Sequence, residues 1–208
     1  MFNIFKRLTK SLNRKIHIIE EEKINNNPIK AIIITDLHGT ARFLDEQVFS
    51  VFREPYDVCF ILGDCTSYDL DILMKYLDIS KTYAVCGNHD DVDIYSKYNI
   101  RNIHGQQIEI KGKTFVGWEG SHKYKASAIG MTQDESITFE KTLPVSDYLV
   151  AHDGPYIPEK INDIAHQGLK GITNYQKRTK CFVIRGHLHT RYITNKERCF
   201  YKIETCIL

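Results

Sequence analysis

Five short apolar runs in this chain each end on Asp, Asn or His. Ala31-Ile32-Ile33-Ile34 leads into Asp36-Leu37-His38, Val58-Cys59-Phe60-Ile61-Leu62 into Gly63-Asp64, and Thr82-Tyr83-Ala84-Val85-Cys86 into Gly87-Asn88-His89-Asp90. Later, Tyr148-Leu149-Val150-Ala151 ends at His152, and Cys181-Phe182-Val183-Ile184 leads into Gly186-His187-Leu188-His189. Uninterrupted apolar runs of this length fit strands buried on both faces. In an open α/β sheet, ligands bind beyond the carboxyl ends of the strands. Polar tips on several such strands therefore aim their side chains at one place.

The tips offer Asp36, His38, Asp64, Asn88, His152, His187 and His189. These are oxygens and imidazoles with no thiolate, a set that suits manganese, iron or zinc better than copper. In Asp36-x-His38 and His187-x-His189, alternate residues of an extended chain share a side, so each pair can address one site. Seven donors exceed what one ion takes and suit two. Two ions about 3.5–4 Å apart can clamp the attacking and leaving oxygens of an in-line displacement.

The rest of the chain sets the frame. At 208 residues it reads as a single domain with a short N-terminal appendage. A formal net charge of +2 gives no argument for nucleic acid or another polyanion. Cys59, Cys65, Cys86, Cys181, Cys199 and Cys206 have no CxxC spacing and fall mostly in or beside the apolar runs, so they read as reduced core residues. No secretory signal and no membrane-length apolar run is evident, and the expected compartment is the cytoplasm.

Residues 1–19 carry five Lys and Arg and no acid, with Phe2, Phe5, Leu8 and Leu12 at helical spacing. Contact of residues 1–15 with an anionic membrane surface is one reading. Docking on the chain's own domain or on a second copy in a homo-oligomer is preferred, because such stripes are usually core contacts. A polar, turn-rich break at 21–28 divides an N-terminal segment, 1–28, from a domain, 29–208. Strands are expected at 30–35, 57–62, 81–86, 147–151, 181–185, 191–194 and 199–204. Helices are expected near 41–52, 67–78, 91–97, 132–141 and 161–177, with a hairpin turning at Lys111-Gly112-Lys113. The expected fold is α/β: two sheets packed face to face, helices outside, and a dinuclear metal site at the strand C-terminal ends.

Asp36-x-His38, Gly63-Asp64, Gly87-Asn88-His89-Asp90, His152 and Gly186-His187-x-His189 stand in the order of the calcineurin-like metallophosphoesterase family, which this chain resembles over most of its length. The resemblance implies an αββα fold and two divalent ions, manganese first, with iron or zinc as alternatives. It implies Asp36, His38 and His189 on one ion, Asn88, His152 and His187 on the other, and Asp64 bridging them. It implies a metal-bridging hydroxide as nucleophile and His89 assisting the leaving oxygen.

Departures from the family pattern narrow the reading. Many members continue Gly-Asp as Gly-Asp-x-x-Asp, the last Asp orienting the catalytic histidine; here Ser67 takes that place. Asp69 or Asp90 are the candidates to replace it, and His89 with Asp90 form the catalytic pair. The Asp-Arg-Gly extension of protein phosphatases is absent, and His89 stands where lipid A precursor pyrophosphatases typically have Arg. His152 is followed by Asp153-Gly154-Pro155 rather than the commoner x-Pro-Pro. What remains is similar to small, uncapped members that hydrolyse phosphodiesters or phosphomonoesters of small molecules. A non-catalytic protein-binding scaffold and a nuclease are the alternatives; retention of His89 and the lack of a basic surface disfavour them. His17, His104, His122 and His166 match no motif and read as structural. In the loop at 119–130, His122, Lys123 and Lys125 read as solvated, with contact to a substrate phosphate as the alternative, and Trp118 reads as core rather than a base-stacking platform.

Overall fold

The computed structural model describes residues 27–126, 128–160 and 162–208. The basic stripe and most of the 21–28 break lie outside the described residues. Two sheets carry the fold. In the first, β1 (Lys30–Thr35), β2 (Val58–Ile61), β3 (Thr82–Ala84) and β4 (Arg101–Asn102) run parallel in that spatial order.

The second sheet starts with a hairpin, β5 (Gln107–Ile110) and β6 (Lys113–Trp118). A loop containing the two-residue strands β7 (Ser121–His122) and β8 (Gly130–Met131) follows. Then come β9 (Tyr148–Ala151), β10 (Phe182–Arg185), β11 (Tyr192–Ile193) and β12 (Glu197–Cys199), giving the order β11-β12-β10-β9-β6-β5. The last strand, β13 (Lys202–Ile207), returns to the first sheet, antiparallel to β1.

Alternation along each strand divides the core into layers. Ala31, Ile33, Val58, Phe60 and Leu62 face Phe115, Val150 and Ile184 across the space between the sheets. Ile32, Ile34, Cys59 and Ile61 face outward onto the helices α1 (Glu46–Phe49), α2 (Ser67–Leu73) and α3 (Ile94–Lys97). Val116, Trp118, Leu149 and Val183 do the same on the far side, against helices α4 (Gln133–Glu140) and α5 (Lys170–Thr179). The apolar runs are unbroken because both of their faces are covered. Each such side chain contributes about 1.5–3 kcal/mol by burial. All six cysteines are buried and unpaired, and Trp118 is in the core.

The element boundaries differ from the expected ones where local capping intervenes. The stretch near 41–52 is three short pieces, because Leu44 is extended and Asp45 caps a new start by accepting from Gln47 N–H. The helix expected at 161–177 begins only at Lys170, after the 3₁₀ turns Pro158–Lys160 and Ile164–His166. The strand expected at 199–204 is two strands in different sheets. The chain crosses over at Phe200-Tyr201, and Lys202, at φ 67°, turns it onto β1. Among the described residues, no helix is long and apolar enough to cross a membrane.

Candidate metal centre

The tips of β1, β2 and β3 from one sheet and of β9 and β10 from the other meet at one end of the sandwich. Backbone hydrogen bonds lace the tips together: Asp36 N–H to Gly63 O, His38 N–H to Asp64 O, and Gly186 N–H to His152 O. The approach is close enough to demand glycine. Gly63 has φ 96°, and a Cβ there would overlap the backbone of Gly87; a Cβ on Gly186 would overlap Thr35 Oγ1.

The paired motifs do not converge by extended alternation as expected. Asp36, His38, Asp64, His187 and His189 all lie in the left-handed region, at φ 54°, 49°, 55°, 68° and 51°. Asp and His tolerate this region better than most residues, and the cost is of order 1–3 kcal/mol each. β1, β2 and β10 each stop, turn left-handed, and swing their donors over the sheet end. Lys202 supports one such turn by donating from Nζ to the carbonyls of Asp36 and Leu37 and to Thr40 Oγ1.

Two donor trios result: Asp36, His38 and His189, and Asp64, His152 and His187, the donor atoms of each lying within 4.8 Å of one another. In the second trio, His152 Nε2 is 2.8 Å from Asn88 Oδ1, 3.1 Å from His187 Nδ1 and 3.5 Å from Asp64 Oδ2. The far nitrogens are committed: His152 Nδ1 donates to Leu62 O and His187 Nε2 donates to Ala165 O, each at 2.7 Å. Such bonds fix which nitrogen keeps its lone pair. Lone pairs on two imidazoles, an amide oxygen and a carboxylate thus point at one small space. They repel unless a proton or a cation lies among them. Separations near 3 Å suit donors about 2.0–2.2 Å from a shared ion.

Asp64 lies between the trios. Its Oδ2 is 3.5 Å from His38 Nε2 and 3.5 Å from His152 Nε2, while Oδ1 accepts the His89 N–H at 2.9 Å. In the first trio, His38 Nε2 is 3.2 Å from His189 Nε2, and Asp36 Oδ1 is 3.4 Å from His189 Nε2. Asp36 Oδ2 is engaged by Thr35 Oγ1 and by His187 N–H. Asp36 Oδ1 is buried with no hydrogen-bond partner among the described residues. A buried carboxylate oxygen left without a donor is costly and suits a cation.

Protonation states follow the same geometry. Burial would raise the Asp64 carboxyl, but His152, the His89 N–H and His38 outweigh it and hold it below the usual range. Burial would lower His152; Asp64 and Asp36 outweigh that and raise it, so a proton can stand among the lone pairs of the ion-free protein. Burial pushes His187 down to about 4, which keeps it neutral as a ligand must be.

His89 lies on the exposed side, its ring edge-on to His38 at 5.6 Å. Asp90, expected beside it as its catalytic partner, sits beneath the loop instead. Its carboxylate accepts from Gly87, Asp64 and Cys65 N–H and from Tyr95 Oη, and none of its described hydrogen bonds goes to His89. Burial pushes this carboxyl up to about 6, against the pull of the Gly87 N–H. Asp69 is likewise occupied: it accepts from Gly39, Ala41 and Thr66 N–H and completes a capping box with Thr66 at the start of α2.

The group that does touch His89 is Tyr124, whose Oη is 3.4 Å from His89 Nε2 and 3.1 Å from Asn88 Nδ2. No motif marks Tyr124; only its place in the 119–130 loop hinted at the site. His166, read as structural, lies against the site. Its ring lies 4.9 Å from that of His187, and its Nδ1 pairs with Asp163. His104 stacks on Phe139, and His122 Nδ1 donates to Ile164 O. Asp153 is fully buried and paired with the fully buried Arg185 at 3.1 Å, behind His152 and His187.

The two-sheet α/β sandwich thus gathers two carboxylates, an amide and four imidazoles at its strand ends, among them two candidate metal-ligand clusters. The calcineurin-like phosphoesterase superfamily domain matches residues 29–202, and the chain belongs to that superfamily. The TT1561 protein of Thermus thermophilus has the same fold: TM-score 0.57 at 14% identity, covering 86% of this chain and 98% of its own. Another solved structure gives TM-score 0.58 at 14% identity with the same coverage. A Streptococcus pneumoniae TIGR4 protein described as a predicted phosphoesterase aligns at 13% identity over 83% of this chain and 70% of its own, with a TM-score of 0.37. No curated protein matches this chain in sequence.

Proposed function

We propose that residues 29–208 form a bimetal-dependent phosphoesterase acting on phosphodiesters or phosphomonoesters of small molecules. The observation that carries this reading is the position of Asp64, one oxygen of which is 3.5 Å from a histidine of each trio. Asp36, His38 and His189 would hold one ion and Asn88, His152 and His187 the other, with Asp64 placed to serve both. The donor set of oxygens and imidazoles favours manganese, with iron or zinc next. Such ions supply positive charge at the phosphoryl oxygens and a water of lowered pKa.

The chain's own residues do the rest. His89, outside the donor set but tied through its N–H to Asp64, faces the open side and donates to the leaving oxygen as the P–O bond breaks. Asp90 positions the loop by gathering the amides of Asp64, Cys65 and Gly87. The open rim admits a small ester, and the net charge of +2 does not favour nucleic acid. The reading includes a cytoplasmic setting, supported by six unpaired cysteines.

The test is metal analysis of the purified protein beside a panel of diesters and monoesters, with and without added manganese. Two ions per chain and manganese-dependent hydrolysis are expected. A protein that takes up no ion and cleaves no ester overturns the proposal.

A further inference from the structure

Resting on that reading, we infer that Tyr124 is a positioning residue that orients both the Asn88 carboxamide and the His89 ring. An asparagine ligand has an orientation problem that a carboxylate lacks. Its oxygen can hold an ion and its NH₂ repels one, yet the two ends have nearly the same shape. Here Asn88 Oδ1 lies 2.8 Å from His152 Nε2, inside the donor cluster, and Nδ2 is turned away. The described hydrogen bond from Nδ2 goes to Tyr124 Oη at 3.1 Å. That phenol oxygen therefore decides which end of the amide faces the ion.

The same oxygen lies 3.4 Å from His89 Nε2. A hydroxyl can donate to an imidazole or accept from it, so it holds the ring in either protonation state. The carboxylates that could have done this are engaged elsewhere: Asp69 holds the Gly39 and Ala41 amides, and Asp90 holds Gly87, Asp64 and Cys65. Ser67 is the first residue of α2. Tyr124 itself is placed by its loop. Gly120 N–H donates to Cys86 O at 2.7 Å, just before Asn88, and Lys123 N–H donates to Met131 O at 2.9 Å. Lys125 Nζ lies 5.3 Å from the centre of the Tyr124 ring.

The experiment is a manganese titration of the chelator-stripped full chain, followed by calorimetry, for wild type, Tyr124→Phe, Asn88→Asp and the double variant. Tyr124→Phe keeps the ring and removes the oxygen; its thermal midpoint should match wild type. One of the two manganese sites should weaken about 10- to 100-fold, the usual cost of losing such an outer partner, while the other holds. Asn88→Asp presents two equivalent oxygens, so adding Tyr124→Phe to it should change affinity by less than about 2-fold, a large non-additivity. With manganese saturating, Tyr124→Phe should still lower kcat with KM little changed, because His89 has lost its hold. Wild-type affinity at both sites in Tyr124→Phe, or an undiminished effect in the Asn88→Asp background, overturns the role at Asn88. Wild-type kcat at saturating manganese overturns the role at His89. If wild type itself binds no manganese, the phosphoesterase reading fails first and takes this inference with it.

Discussion

The two donor trios sit side by side but are built differently. His152 and Asp64 are sealed, with side chains 0% and 1% exposed, whereas His38 and His189 are 34% and 48% exposed. In the sealed trio, each imidazole has its far nitrogen on a backbone carbonyl, Leu62 or Ala165. In the open trio, no such bond is found for either imidazole among the described residues. Those rings are held by other rings: His38 edge-on to His89, and His189 stacked on Tyr201 at 5.6 Å. Behind the sealed trio lies the buried Arg185–Asp153 pair; behind the open one lies Lys202, its Nζ on the Asp36 and Leu37 carbonyls. The difference separates two tasks. One half has its tautomers and donor directions fixed by the backbone, and the other leaves a face open to solvent, where the proposed function puts the substrate.

Asp64 joins the halves, so it should be the most damaging place to cut. Asp64→Asn should abolish binding at both positions and cost several kcal/mol of transition-state stabilisation, roughly a thousandfold or more in turnover. Two ions retained at full occupancy would show that the halves are independent and that Asp64 is not a bridge.

The sealed half should also carry stability. Asp153→Ala leaves the Arg185 guanidinium buried without its partner, a change expected to cost about 3–5 kcal/mol. Urea unfolding should show it, and the ion of the sealed trio should weaken while that of the open trio is spared. A loss under about 1 kcal/mol would mean that Glu197, 3.9 Å from Arg185 Nη1, takes over the pairing.

His89 stands on the open side and outside both donor sets. His89→Asn should therefore keep the ions and the fold and lower turnover about 100- to 10,000-fold. The loss should be larger for an alkyl leaving group than for nitrophenolate, which needs no proton. Equal losses for the two would assign His89 to the phosphoryl oxygens instead.

Smaller effects sharpen the contrast further. In a chelator time course, one ion should leave well before the other, and His189→Ala should remove only the faster phase. Tyr201→Leu, which takes away the ring under His189, should weaken the open trio by about 0.5–1.5 kcal/mol and leave the sealed trio untouched. Two ions leaving together would erase the distinction between the halves.

Much of this was legible in the linear chain. The apolar runs at β1, β2, β9 and β10 announced strands covered on both faces, and the helix expected near 132–141 is found at Gln133–Glu140, opened by a Thr132–Glu135 capping box. Other features were not. The residues at 199–204 read as one strand because composition does not say which sheet receives a strand. The alternation expected of Asp36-x-His38 and His187-x-His189 failed because the chain leaves the strand before the ligands and turns left-handed. Asp69 and Asp90 looked equally free to serve His89, yet backbone amides of neighbouring tips claim both.

The sequence by itself determined the donor types, their order and their attachment to strand ends. Those properties are local: a few apolar residues, a glycine that permits a close approach, then a carboxylate, amide or imidazole. Only the tertiary structure decided how the donors divide into a sealed and an open trio, which nitrogen of His152 and of His187 keeps its lone pair, and that Tyr124 stands against Asn88 and His89. These depend on partners far apart in the chain, such as His152 and Leu62, 90 residues distant, or Tyr124 and Asn88, 36 residues distant. A hydrogen bond acts over about 3 Å, and which groups come that close is settled when the two sheets pack.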